Sequence, residues 1–526
     1  MKKAIIDSTA LTYIIIAIAI VMTGLTFVLF LPASPDLWSY LFNADALFLP
    51  ALWRHLFEDQ GSWATWYPSV VGFYAPDMVI FFASQIFTDR PDYAVYLFFI
   101  AQLILIGFSF ALLLRKPQTD VASNAVTALA PAFLTILIFI HVVAIVFVGG
   151  QLANTTLIVG PLITPAHHTG TIITTLLGFF LALRIEREPR AIWLVTWVSL
   201  GVLAVASDKL YIPSALGPIL VYGILKVIRK QITYTAMLRA IFLSGLVIVL
   251  GHQLWILIGW WHRPAGVDGK IALPSEMLIS ISQIIRDSQI LLTPEWLCIS
   301  IPMAIGFILL SLDLWRWMRN KNPSHDLNVA VLVYLGAILP LIATIMKGFY
   351  SGPTTFRYIE SIVMFPIFWT WYRYTNRLTP FIISRYLLPS VVLASTLCVL
   401  LVGARNWREF SGGYYPPLVA CLDKMSGSAA GFPRNGFADY WNTKPIRIFT
   451  RNNLKVAQLN ASAKDEHWIS SDTWTKEVNI AAKSGETIFI VTTRLDDLAL
   501  KRQFGPPRKE LICAGERVNI YPPGTK

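Results

Sequence analysis

The chain has 526 residues, 55% of them hydrophobic and 14% charged, with a net charge of +12 and a mean hydropathy of +0.58. A water-soluble fold of that composition would expose large apolar patches, so lipid is the solvent the chain expects. Its basic residues sit in short loops between apolar runs, which sets topology and argues against nucleic-acid binding as the meaning of the charge.

The first apolar run, 11–31, is too long and too poor in small residues near its end to be a removable signal peptide. Further runs follow at 93–114, 126–148, 172–185, 192–206, 211–228, 240–261, 296–312, 327–346, 358–371 and 386–402, with 69–87 as an additional candidate. A crossing needs roughly 17–25 helical residues, so the pattern predicts an all-α polytopic membrane protein with about 11–13 transmembrane helices. Residues 1–404 form that membrane domain, and 32–68 is an acidic, aromatic external loop with a surface helix.

Lys2 and Lys3 place the N-terminus in the cytoplasm, and the basic loops at 184–190, 229–239, 316–321 and 373–385 fall on the same side. The segments near 207–210, 262–290 and 347–357, and everything after Val402, are then external. One conflict remains at Arg115-Lys116. Either 69–87 does not cross, or the weakly apolar 152–162 makes an extra short crossing.

Residues 405–526 are polar, rich in turn formers and carry short alternating runs at 487–492 and 517–521. They predict a small external α/β or mostly β domain. Cys421 and Cys513 both lie there, and an external compartment permits a disulfide between them. The chain has no zinc-type cysteine spacing, P-loop, G-x-G-x-x-G or H-E-x-x-H motif, so no cofactor is implied by motif.

Polar groups converge on the external face. Asp45 can act as a general base toward a hydroxyl, help to hold a divalent cation, or simply cap a helix. Asp77 follows Pro76 at a predicted helix start and can serve a ligand or the helix dipole. His167 and His168 suit a sugar hydroxyl or phosphate, or a backbone contact at a helix entry; no third ligand suggests a metal. Asp208 and Lys209 either neutralise one another or offer a cation to a phosphate. Arg357, with Lys347 on the same face, suits phosphate or snorkelling at the interface. The aromatic set Trp38, Trp53, Trp63, Trp66, Tyr67, Phe73 and Tyr74 reads mainly as an interfacial belt, and 53–59 as a helix lying in the membrane plane.

This layout resembles the GT-C class of glycosyltransferases. Asp45 matches the first-loop catalytic carboxylate of that class, 75–78 stands where many members have a Pro-Pro-Leu-like helix start, and Arg357-Tyr358 is similar to the Arg-Tyr opening a late span. The chain departs from the paired Asp-Glu or Asp-x-Asp of many members, because Ala44 and Ala46 flank Asp45. It is also similar to a group of bacterial membrane proteins sharing segments in the style of 45–50 and 438–445. The GT-C resemblance implies a bacterial inner-membrane enzyme that moves a sugar from a polyprenyl-phosphate donor to an envelope acceptor. Asp45 would be the catalytic base, and Asp77, His167, His168, Asp208, Lys209, Lys347 and Arg357 would bind substrate. A transporter or flippase for a lipid-linked or anionic solute is the rival reading, and a non-catalytic subunit of a polysaccharide assembly system a third.

Overall fold

A computed structural model of the chain describes residues 41–69, 71–115, 168–259, 271–376, 388–428 and 432–524, with scattered positions between 18 and 39. The runs expected at 11–31 and 126–148, the short crossing at 152–162, and His167 lie wholly or largely outside the described residues.

Helix α1 (Phe48–Trp53) and α2 (Val79–Ile86) are short. They precede α3 (Pro91–Leu114), α4 (Thr169–Arg187), α5 (Ala191–Ser207), α6 (Gly217–Ile228), α7 (Tyr234–Ile258), α8 (Pro274–Ser288), α9 (Leu297–Arg319), α10 (His325–Met346), α11 (Ser361–Thr375) and α12 (Leu388–Gly412). Among the described residues, five helices are long and apolar enough to cross a membrane. They begin and end on simple chemistry. The side chains of Thr233 and Ser324 cap α7 and α10, accepting from the amides of Ala236 and Leu327. Arg184 and Arg187, and Arg316 and Arg319, close α4 and α9, where cations suit the helix dipole. On α7, Phe242, Val249, Leu250 and Leu257 remain exposed.

Loop contacts sort the helix ends into two faces. On one, His325 Nε2 donates to the Leu113 carbonyl at 3.1 Å, Arg187 meets His325, and Gln231 donates to the Lys321 carbonyl at 2.7 Å. On the other, Trp63 donates to the Ile258 carbonyl at 2.9 Å, and the Ala75 amide donates to Ser207 Oγ at 2.8 Å. The Tyr414 amide donates to Asp92 at 3.0 Å on this same face. So α3 starts beside the C-terminal unit and ends among the basic loops. Helix α2, with the helical turn Tyr74–Met78 that leads into it, is shorter than the roughly 17–25 residues a crossing needs.

Helix α12 runs through the 404/405 boundary, continuing past the end of its apolar run until Phe410 stacks on Tyr93 at 5.5 Å. The C-terminal unit begins after that helix, with α13 (Pro417–Ser428). It then forms β2 (Asn435–Ala438), α14 (Tyr440–Phe449), β3 (Lys455–Gln458), α15 (Asp472–Lys483), β5 (Ile488–Val491), α16 (Asp497–Phe504), β6 (Lys509–Cys513) and β7 (Glu516–Tyr521). The five strands make one mixed sheet in the order β3-β2-β5-β7-β6, parallel at β3-β2-β5 and antiparallel beyond, so the unit is α/β. Strand β5 is apolar throughout because both faces are covered. Ile488 and Ile490 pack with Val478, Leu500 and Phe504, while Phe489 and Val491 join the main core.

Cys421 on α13 and Cys513 on β6 form a disulfide with a Cα–Cα distance of 5.6 Å. The bridge closes a loop of 92 residues. Replacing both cysteines by alanine is expected to cost this unit about 2–5 kcal/mol, read as a lower midpoint in thermal melts of the purified chain. An unchanged midpoint would show that packing alone fixes α13 to the sheet.

The first loop is the platform on which this unit sits. Strand β1 (Trp66–Tyr67) pairs antiparallel with β4 (Ser470–Ser471), and Trp66 packs against Trp474 at 5.9 Å. Trp66 and Phe73 are therefore core residues, 2% and 6% exposed, and not part of an interfacial belt. The segment after α1 continues as the helical turn Arg54–Glu58, with Phe57 exposed and His55 turned into the core. His55 is fully buried, with Ser471 Oγ 3.0 Å from Nδ1 and the Ser62 carbonyl 2.9 Å from Nε2. Burial pushes its imidazole below the usual range, which favours the neutral ring. Gly61 is required here, since a Cβ would fall 1.9 Å from the His55 ring.

Candidate functional site

Asp45 lies where the first loop, the C-terminal unit and the 353–358 turn meet. Leu47 precedes helix α1 and gives it no side-chain cap, and Asn43 Oδ1 takes the Ala46 amide at 2.9 Å, so Asp45 is not spent as a helix cap. Instead, the Tyr440 hydroxyl donates to Asp45 Oδ1 at 2.5 Å, and Arg357 Nη1 approaches Oδ2 at 3.5 Å. The Asp45 side chain is 29% exposed, so a ligand can reach it. Burial and the Asp45 charge hold the Tyr440 hydroxyl protonated, and hence a donor.

Tyr440 belongs to α14, which Asp439 caps by accepting from the Asn442 amide. Tyr440, Lys444 and Arg447 recur at i, i+4 and i+7, so they share one face of that helix. Lys444 is fully buried, its ammonium 3.6 Å from the Tyr440 ring centroid and without a hydrogen-bond partner among the described residues. Burial pushes Lys444 down to about 7, while the charges of Asp45, Glu466 and Asp439 push it back up. The sign of the pH effect follows. Between about 7 and the ordinary value of 10.5, the unfolded chain holds a proton that the folded one lacks, so stability rises with pH across that window. Thermal melts from neutral to alkaline pH should show this rise in wild type and its loss in Lys444→Met. Parallel curves would contradict the assignment.

A second cluster sits immediately beneath. Asp208 accepts from His168 Nδ1 at 2.6 Å and from the Thr171 hydroxyl, holding the ring edge-on to Phe73 and 4.9 Å from Tyr358. Asp77 accepts from Gln102 at 3.0 Å. It abuts Gly170, where a Cβ would lie 2.1 Å from the Asp77 carboxylate, so only glycine permits this approach. The segment leading to Asp77 is pinned by Ser207, whose carbonyl takes the Phe73 amide at 3.0 Å. The segment from Arg357 to Glu360 joins the clusters. Arg357 touches Asp45, Tyr358 packs on His168, and Glu360 shares a cavity with both Arg357 and His168.

The structure thus gathers Asp45 with Arg357, and Asp77, His168 and Asp208 with one another. Asp208 and Lys209 do not neutralise each other, because Lys209 stands over the Trp255 ring at 4.0 Å. Lys347 caps the end of α10 on the same face. Among the described residues, no group of three or more His, Cys, Asp or Glu side chains could hold a metal ion. No family model matches the chain. None of the curated proteins matches it either, so the site must be read from its own chemistry.

Sequence reasoning missed Tyr440, Lys444 and Glu360 as site residues. The signal for the first two was the polar stripe on α14, within the 438–445 segment already singled out. Nothing local points that stripe at Asp45, 395 residues away.

Proposed function

We propose that the chain is a membrane glycosyltransferase, moving a sugar from a polyprenyl-phosphate donor to an acceptor hydroxyl outside the bacterial inner membrane. One observation carries the reading: a partly exposed carboxylate, Asp45, is held between Arg357 and the Tyr440 hydroxyl at the junction of the apolar helices with the C-terminal unit. In this scheme an acceptor hydroxyl replaces one of those contacts and gives its proton to Asp45. The acceptor oxygen bonds to the anomeric carbon as the bond from that carbon to the phosphate oxygen breaks, with inversion, and the lipid phosphate leaves as an anion.

Arg357 suits the departing phosphate because its planar fork matches two oxygens at once. Lys209 and Lys347 add positive charge on the same face. The α/β unit supplies Tyr440 and Lys444 and lies where an acceptor would arrive, so acceptor selection falls to it. Membrane lipids and the lipid-linked sugar are the required partners, and other envelope-biosynthesis proteins are the natural neighbours.

The test uses membrane vesicles containing or lacking the chain, supplied with a radiolabelled polyprenyl-phosphate hexose. Label appearing in non-lipid product only when the chain is present supports transfer. Label that crosses the bilayer still attached to its lipid indicates a flippase instead.

A further inference from the structure

Helix α8 carries its polar and apolar sides the wrong way round for water. Ser280 is buried and donates to the Tyr350 carbonyl at 3.2 Å, while the buried Tyr350 hydroxyl donates to Asp287 at 3.1 Å. These two polar side chains face the rest of the protein. Leu278, Ile281 and Ile285 recur at i, i+3 and i+7, so they form one stripe on the side away from Ser280 and Asp287. All three are exposed, Leu278 by 65% and Ile285 by 59%. A surface helix in water shows the reverse arrangement, its apolar stripe turned to the core.

The surroundings of α8 indicate what covers the stripe. The Ala272 amide, just before the helix, donates to the Met346 carbonyl at 3.0 Å. With the Tyr350 contacts, this ties α8 to the segment that leaves α10. Helix α10 begins among the basic loops, so that segment emerges on the face of the C-terminal unit. After α8 the chain passes through two short helical turns, Gln289–Leu292 and Pro294–Trp296, into α9, which contains one of the five stretches able to cross a membrane. Exposed apolar side chains continue without a break in the chain, from Leu292 to Leu297, Ile301 and Ile305 on α9. A protein partner on α8 would have to end where α9 meets acyl chains, whereas lipid covers both. Arg286, next to Ile285, is largely exposed and suits lipid phosphates at the edge of the stripe.

We propose that α8 is a membrane-surface helix, with Leu278, Ile281 and Ile285 bedded among the acyl chains of the leaflet on the side of the C-terminal unit and Arg286 at the level of the phosphates. Tyr350 links α8 to the turn Pro353–Tyr358, which carries Arg357, so the helix holds that turn near the depth of the lipid headgroups. The inference needs only that the apolar helices lie in a bilayer, and it stands or falls apart from sugar transfer.

The experiment places single spin labels on the purified full chain, with Cys298 and Cys398 replaced by alanine, in vesicles of phosphatidylethanolamine and phosphatidylglycerol. Labels go on the stripe (Leu278→Cys, Ile281→Cys, Ile285→Cys), on exposed flanking positions (Ser275→Cys, Ser282→Cys) and on α7 as a bilayer reference (Leu250→Cys). Collisions with oxygen, which concentrates in hydrocarbon, are compared with collisions with a water-soluble nickel chelate. The oxygen-to-nickel ratio should be several-fold higher on the stripe than on the flank, and should approach that of the α7 reference. If nickel dominates on the stripe while the reference reports hydrocarbon, α8 lies in water and the proposal is overturned, though the membrane reading stands. If both reagents are excluded from the stripe, protein covers it, and a second copy of the chain replaces lipid as the occupant. If the α7 reference also reports water, the membrane reading fails and the proposal with it.

Discussion

Asp45→Asn is expected to reduce sugar transfer in vesicles by roughly a hundred- to ten-thousand-fold, the range typical of a lost general base. Asparagine keeps the size of the side chain and an oxygen to accept from Tyr440, so the junction with the C-terminal unit should survive. What disappears is the negative charge beside Arg357 and the capacity to take a proton. Donor binding should therefore change far less than turnover, which separates a role in chemistry from a role in binding. Transfer at the wild-type rate by a stably folded Asp45→Asn chain would remove Asp45 as the base.

Arg447→Met should have the largest effect on architecture. Arg447 is 3% exposed and donates to Asp59 at 3.2 Å and to Glu477 at 2.9 Å, with its guanidinium 4.5 Å from the Trp474 ring. Asp59 also accepts from Trp474 Nε1 at 2.7 Å, so one arginine ties the first loop to α14 and α15. Asp59 keeps Arg54 and Glu477 keeps Lys455, so the loss is that of the buried guanidinium's own charged hydrogen bonds, about 1.5–3 kcal/mol. Limited proteolysis should then cut the connection around 413–417, and transfer should fall because Tyr440 and Lys444 no longer reach Asp45. Proteolytic resistance equal to wild type would show that the β1-β4 pairing and the aromatic contacts suffice.

The predominantly helical architecture was largely legible because it is written in composition and period. Long apolar runs, arginines at helix ends and a late change to polar alternation are local signals, and the helices and the α/β unit follow them. The candidate site was legible only in part. Asp45, Asp77, His168, Asp208 and Arg357 stood out as charges or histidines beside apolar runs, where ionisable groups are expensive. Their partners did not stand out. Nothing near Asp45 announces Tyr440, and Glu360 looks like an ordinary residue at a helix entry until its carboxyl group is seen to be buried and unpaired. Trp66 and Phe73 were misjudged for a related reason. Tryptophans suit an interface and a core equally well, and only β1-β4 pairing across some 400 residues places Trp66 beneath Trp474.

The central claim is that a carboxylate at this junction moves a sugar. Its most direct test is mass spectrometry of envelope glycans from wild-type, deletion and Asp45→Asn cells, with equal amounts of the chain confirmed in the membranes of the first and last. A glycan absent from both the deletion and the Asp45→Asn strain is the predicted result, and its mass would name the transferred sugar. A glycan lost in the deletion strain but intact in Asp45→Asn cells would contradict the account and assign the chain a transport or scaffolding role.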